Sequence, residues 1–186
     1  MHVYITFDAA VSDDSNADFN ELAVWGIDPA GEIHALDWWR KQALLDETVD
    51  ALIDLIMKWR PLMCVGETGV IRKAMEPFLT ARMKQRSAFC RFEWLTRTAD
   101  KPAMARGFQA RAAMGHVYFP MESWADDVLN QLVRFPAGIH DDAVDACAHL
   151  GMALDALIPA GVPAIQRNEP TDAWGRRRGG GSWRTA

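Results

Sequence analysis

The sequence predicts an α/β protein, a mixed sheet with helices packed around it, and three observations carry that prediction. The chain opens with three strand-like segments joined by short connections, the pattern of an antiparallel meander. A helical segment then leads into Leu62-Met63-Cys64-Val65-Gly66. A continuous apolar run of that length reads as a strand buried on both faces and laid parallel to a neighbour after a helical crossover. The remainder is mostly of helical period and closes on a long run of small and apolar residues.

Taken in order, residues 3–7 alternate apolar and β-prone side chains and end in Asp8, before a polar stretch that includes Ser12, Asp13, Asp14 and Asp18. Residues 21–27 form a second strand, Asp28-Pro29-Ala30-Gly31 a turn and residues 32–39 a third strand. Asp46 is placed to cap a helix whose apolar positions Val49, Leu52, Ile53, Ile56 and Met57 follow the 3.6-residue period. The apolar strand comes next and ends in Glu67. Residues 70–85 read as a helix that Pro77 should kink or break. Residues 92–97 are a fifth strand. Asp100-Lys101-Pro102 starts another helix that ends by Gly115. A short strand over 116–119 follows, and Ser123 is placed to cap a helix through Arg134. A Pro/Gly loop then halts the chain, and His140-Asp141-Asp142 opens a helix reaching about Leu157.

The 186 residues suit one domain, over 1–158, with 49% hydrophobic and 24% charged residues. Residues 159–186, rich in Pro, Gly and Arg, read as a flexible tail. The formal charge of −5 is uneven, because five Arg against one Glu and one Asp give the tail +3 and leave −8 for the rest. An acidic body argues against a broad nucleic-acid footprint and is compatible with an acidic metal pocket. No leader and no apolar run of membrane length is visible, so a cytoplasmic protein with no membrane partner is expected. Cys64, Cys90 and Cys147 are odd in number and lack CxxC spacing, which points to reduced thiols and not to a zinc site. The eight Trp residues have no role that can be read from the sequence.

Three acids stand out by position: Asp8 ends the first strand, Glu67 ends the fourth and Asp142 opens the last long helix. If the first and fourth strands are adjacent and parallel, their carboxyl ends lie side by side, where open sheets place their sites. Acids meeting there suit hard divalent cations with oxygen ligands, Mg²⁺ or Mn²⁺, and two such ions can hydrolyse a phosphodiester. Each acid also has an ordinary reading, as a turn residue or a helix cap. Lys101 and Arg106 could touch phosphates or belong to a solvated helix face, and His140 could orient a water or cap its loop.

In order and spacing, Thr6-Phe7-Asp8-Ala9-Ala10, Val65-Gly66-Glu67, Asp100-Lys101 with Ala105-Arg106, residues 115–120 and the block Phe135-Pro136-Ala137-Gly138-Ile139-His140-Asp141-Asp142-Ala143-Val144-Asp145-Ala146 resemble the nuclease domain of tailed-phage terminase large subunits. The resemblance covers about residues 1–150. It implies an RNase H-like fold with a five-stranded mixed sheet, and endonucleolytic cutting of concatemeric double-stranded DNA by two Mg²⁺ or Mn²⁺ ions. It also implies an ATPase motor, a small terminase subunit and a portal as partners. Carried over by position, Asp8 would bridge both metals, with Glu67 holding one and Asp142 the other. Asp141 is the neighbouring candidate ligand, and Asp145 supports the site or the fold. Two features depart from the family: Ile139 stands where a basic residue is usual, and no G-x-x-x-x-G-K-[ST] phosphate loop occurs. The chain is therefore expected to be an excised domain or to work with a separately encoded motor. Two rivals remain, a structure-specific resolvase or other hydrolase of the same fold, and a non-catalytic docking module of the packaging complex.

Overall fold

The structure is a computed structural model that describes residues 1–9, 19–96, 101–137 and 142–157. The element order is β1 (His2–Asp8), β2 (Asn20–Ile27), β3 (Ile33–Lys41), α1 (Leu45–Trp59), β4 (Met63–Glu67), α2 (Val70–Arg86), β5 (Arg91–Leu95), α3 (Lys101–Ala113), β6 (Val117–Tyr118), α4 (Ser123–Arg134) and α5 (Asp142–Leu157). The expected tail, Asp100, and the loop residues 138–141 lie outside the described residues.

The strands form one mixed sheet in the order β5-β4-β1-β2-β3-β6. β1, β2 and β3 make the antiparallel meander, β4 runs parallel to β1 and β5 parallel to β4. The sheet has six strands, one more than the resemblance implies, because the short strand read after Gly115 joins it, pairing parallel with β3 through Ile33↔Val117 and His34↔Tyr118. Asp28 shapes the β2–β3 turn by accepting the backbone N–H groups of Ala30 and Glu32, both at 2.9 Å.

Helices cover both faces. Ile5, Phe7, Leu22 and Val24 pack with Val49, Leu52, Ile53 and Ile56 of α1 and with Met75 and Leu79 of α2. Ala23, Trp25 and Trp38 face the other way, against Phe108 of α3, Val128 of α4 and Ala146, Cys147 and Leu150 of α5. One backbone contact draws α3 tight against α5: a β-carbon at Gly151 would stand 2.7 Å from the backbone nitrogen of Phe108.

Three local expectations are corrected. Asp46 is not the cap of α1. Leu44 holds that position without a side-chain bond, and Asp46 sits in the first turn, where its charge still complements the helix dipole. Ser123 is the first residue of α4, and Glu122 precedes it as the cap residue. Pro77 does not break α2, which runs through it; the proline lies on the exposed side, where water can reach the carbonyl it leaves without a donor.

Candidate acidic metal site

Asp8 and Glu67 are brought together by register. β1 and β4 pair as Tyr4↔Met63, Ile5↔Cys64 and Thr6↔Val65, and continuing that register two residues sets Asp8 beside Glu67 at the carboxyl ends of adjacent parallel strands. Alternation turns Phe7 to the opposite face, where its ring fills the space over Gly66. A β-carbon at Gly66 would stand 2.2 Å from Phe7 Cζ.

Two hydrogen bonds fix the position of α5 over this end of β1. The buried Thr6 hydroxyl donates to Ala146 O at 2.8 Å and accepts the indole N–H of Trp25 at 2.9 Å. One helical turn further on, buried His149 faces the backbone of the next residue, with Nδ1 3.1 Å from Phe7 O. The carbonyl only accepts, so Nδ1 carries the proton. Asp142 and Asp145 are thereby held at the head of α5 beside Asp8. Burial pushes the Asp8 carboxyl up to about 7, and the charges of Asp145, Asp142 and Glu67 add to the shift while Lys101 opposes it.

Lys101, the first residue of α3, donates to Asp145 Oδ2 at 2.7 Å. Its ammonium thus lies among the acids and not on a solvated face. Arg106 is exposed on α3 and is not drawn into the cluster. His140 and Asp141 lie outside the described residues, so only Asp142 of the expected pair has a described position.

Sequence reasoning missed Glu21. It pairs directly with Asp8 across β1 and β2 and is fully buried, with Oε1 accepting Arg40 Nε at 2.7 Å and Oε2 accepting Trp38 Nε1. Burial raises its carboxyl to about 7 against the pull of Trp38 and Arg40, and Asp142 adds to the rise. A signal was present, because residues 22–27 are apolar in both parities, so an acid in phase with Ala23 and Trp25 must lie under a helix. His149 was missed for the opposite reason: inside an apolar helical period, nothing marks one buried polar residue as special.

Among the described residues, no three His, Cys, Asp or Glu side chains stand close enough together to hold an ion as they are. The donor set nevertheless fits a hard divalent cation. It consists of four carboxylates against the single ammonium of Lys101, and burial, with repulsion from the neighbouring carboxylates added to it, raises the Asp8 carboxyl.

No protein-family profile matches the chain, and no curated protein matches it in sequence. Solved structures do match. The large terminase nuclease of a thermophilic phage with bound magnesium superposes with a TM-score of 0.58 at 16% identity, over 81% of this chain and 80% of that one. The chain has the RNase H-like fold. The Holliday junction resolvase of fowlpox virus is similar at a TM-score of 0.52 and 12% identity, over 84% of this chain and 99% of its own. The yeast mitochondrial Holliday junction resolvase reaches 0.51 at 11%, over 81% and 75%. Structures of the phage nuclease also carry zinc or cobalt. These RNase H-like neighbours are nucleases, and no described helix of this chain is long and apolar enough to cross a membrane.

Proposed function

We propose that this chain is a metal-dependent DNA endonuclease of the terminase type, cutting concatemeric double-stranded DNA for packaging. The observation that carries the reading is the convergence of Asp8, Glu67, Asp142 and Asp145 at the carboxyl edge of adjacent parallel strands, where the other three acids add to the rise that burial gives Asp8. Asp8, Glu67 and Asp142 would hold two Mg²⁺ or Mn²⁺ ions, with Asp141 as a further candidate ligand. Bound there, the ions supply a water activated for attack and charge to stabilise the leaving oxygen of a phosphodiester. With cations held there, Asp8 would serve as an ionised ligand. Lys101 fixes Asp145 and keeps that carboxylate from turning onto Asp8. The acidic body leaves delivery of DNA to the Arg-rich tail and to an ATPase motor, small terminase subunit and portal.

A second reading keeps the chemistry and changes the substrate to a four-way junction. The fowlpox resolvase favours it, since 99% of that protein is covered by the match. The test is cleavage of linear duplex, supercoiled plasmid and a four-way junction by the purified chain in Mn²⁺, Mg²⁺ and EDTA, alongside Asp142→Asn. Metal-dependent cutting of plasmid and duplex that disappears in the variant supports the terminase reading, whereas strong preference for the junction supports the resolvase. No cutting and no Mn²⁺ binding would leave a docking module.

A further inference from the structure

The row that contains Asp8 continues across the sheet beyond it. Strand pairing carries it from Asp8 to Glu21 and from Glu21 to Arg40, and directly opposed residues share a face. Glu21 has no exposed side-chain surface, and both its oxygens are engaged, one by Trp38 and one by Arg40. The bond to Arg40 is made through Nε, and Glu21 takes no hydrogen bond from Nη1 or Nη2. Phe19 supports the guanidinium from one side at 3.7 Å from the ring centroid, and the Arg40 side chain is 27% exposed. Among the described residues no acceptor reaches Nη1 or Nη2.

A fully buried carboxylate is a costly way to fix a partly exposed arginine if stability is its only purpose, because apolar residues of similar volume often serve as well or better. The arrangement makes sense if the pre-oriented guanidinium has a ligand. Planar guanidinium matches phosphate oxygens in a two-pronged geometry. We infer that Arg40, held by Glu21 and Phe19, is a positioning residue that grips a backbone phosphate of the DNA strand crossing the acid row. Two strand spacings put it about 10 Å from Asp8. That distance corresponds to a phosphate within about three nucleotides of the one being cut. The inference rests on the nuclease reading, and it adds to Lys101, which is bound to Asp145, a second cation beside the acids.

Arg40→Gln tests this, with Glu21→Gln/Arg40→Gln made in parallel so that no buried carboxylate loses its cation. Binding of a short labelled duplex is measured against salt in EDTA, cleavage kinetics in Mn²⁺, and Mn²⁺ affinity by calorimetry. Both variants should bind DNA about tenfold more weakly and lose about one from the slope of log K against log salt. KM should rise about tenfold with kcat within about twofold of wild type, and Mn²⁺ affinity should not change. Arg40→Lys should keep the slope. An unchanged slope in both folded variants, a loss confined to kcat, or absence of DNA binding by the wild-type chain would overturn the inference. Loss of slope in variants of a wild-type chain that binds DNA but cuts nothing would support the phosphate contact while removing the nuclease reading.

Discussion

Phe7 and Asp8 are neighbours in sequence, yet they belong to opposite faces of one sheet that obey different physics. On the Phe7 side the ring lies over Gly66 and meets Phe92 and Trp94 edge-on at 6.3 and 5.6 Å, above a cluster of buried aliphatic residues from α1 and α2. On the Asp8 side the buried groups include Thr6, Glu21, Asp145 and His149, each tied by a specific bond to the backbone or to a neighbouring side chain. One face contributes stability by burying apolar area. The other offsets part of it by burying carboxylates that repel one another.

The difference can be sharpened by pH. Asp8 is raised from 3.8 to about 7, so the folded chain holds this proton more tightly than the unfolded chain does. Its contribution to stability is therefore lost as pH rises from about 4 to about 7 and stays lost above that. At 1.4 kcal/mol per unit the loss is on the order of 4 kcal/mol. In EDTA, the melting temperature of Asp8→Asn relative to wild type should climb through that window and level off above pH 7. Mn²⁺ at a hundred times its Kd should return about 2.7 kcal/mol to the wild type at pH 8.

Lys101→Met breaks the polar face directly by leaving Asp145 buried without its cation. A loss of about 3 kcal/mol is expected in urea unfolding. Since Lys101 also holds the Asp8 carboxyl down, that carboxyl should titrate higher in the variant, which can be followed by carboxyl NMR. Lys101→Met/Asp145→Asn should recover most of the stability.

The smallest effect belongs to the apolar face. Gly66→Val drives side-chain atoms into the Phe7 ring, and overpacking of this kind should cost about 2 kcal/mol in urea unfolding. Because Phe7 precedes Asp8, the variant should also cut DNA more slowly even when folded. A Gly66→Val protein with wild-type stability would show that the two faces are less tightly coupled through β1 than the packing requires.

Much of this was legible in the sequence where one signal decided a feature locally. The two-faced apolar run before Glu67 identified a parallel strand, and parallel pairing with β1 sets Glu67 beside Asp8. Helix caps were less legible, because Asp46 and Ser123 are good cap residues one or two positions inside helices whose starts are set by packing. The Trp residues were opaque because their roles are long-range. Trp25 donates to Thr6, Trp38 to Glu21 and Trp59 to Asp37, while Trp124 stacks on Trp38. Lys101 and Arg106 looked alike in the sequence and separate only in three dimensions, since α3 starts against α5 and turns Arg106 to solvent. The sixth strand owes its pairing to the edge left open by β3, which the two residues of β6 do not reveal by themselves.

The central claim is that the carboxylates around Asp8 form a divalent-metal site that cuts DNA. It is tested most directly by nicking of supercoiled plasmid in Mn²⁺, comparing the wild-type chain with Asp8→Asn at equal folded content by circular dichroism. The account predicts nicking by the wild type that EDTA abolishes, and a rate at least about a hundredfold lower in the variant. Nicking that persists in EDTA, or at the wild-type rate in folded Asp8→Asn, would contradict it.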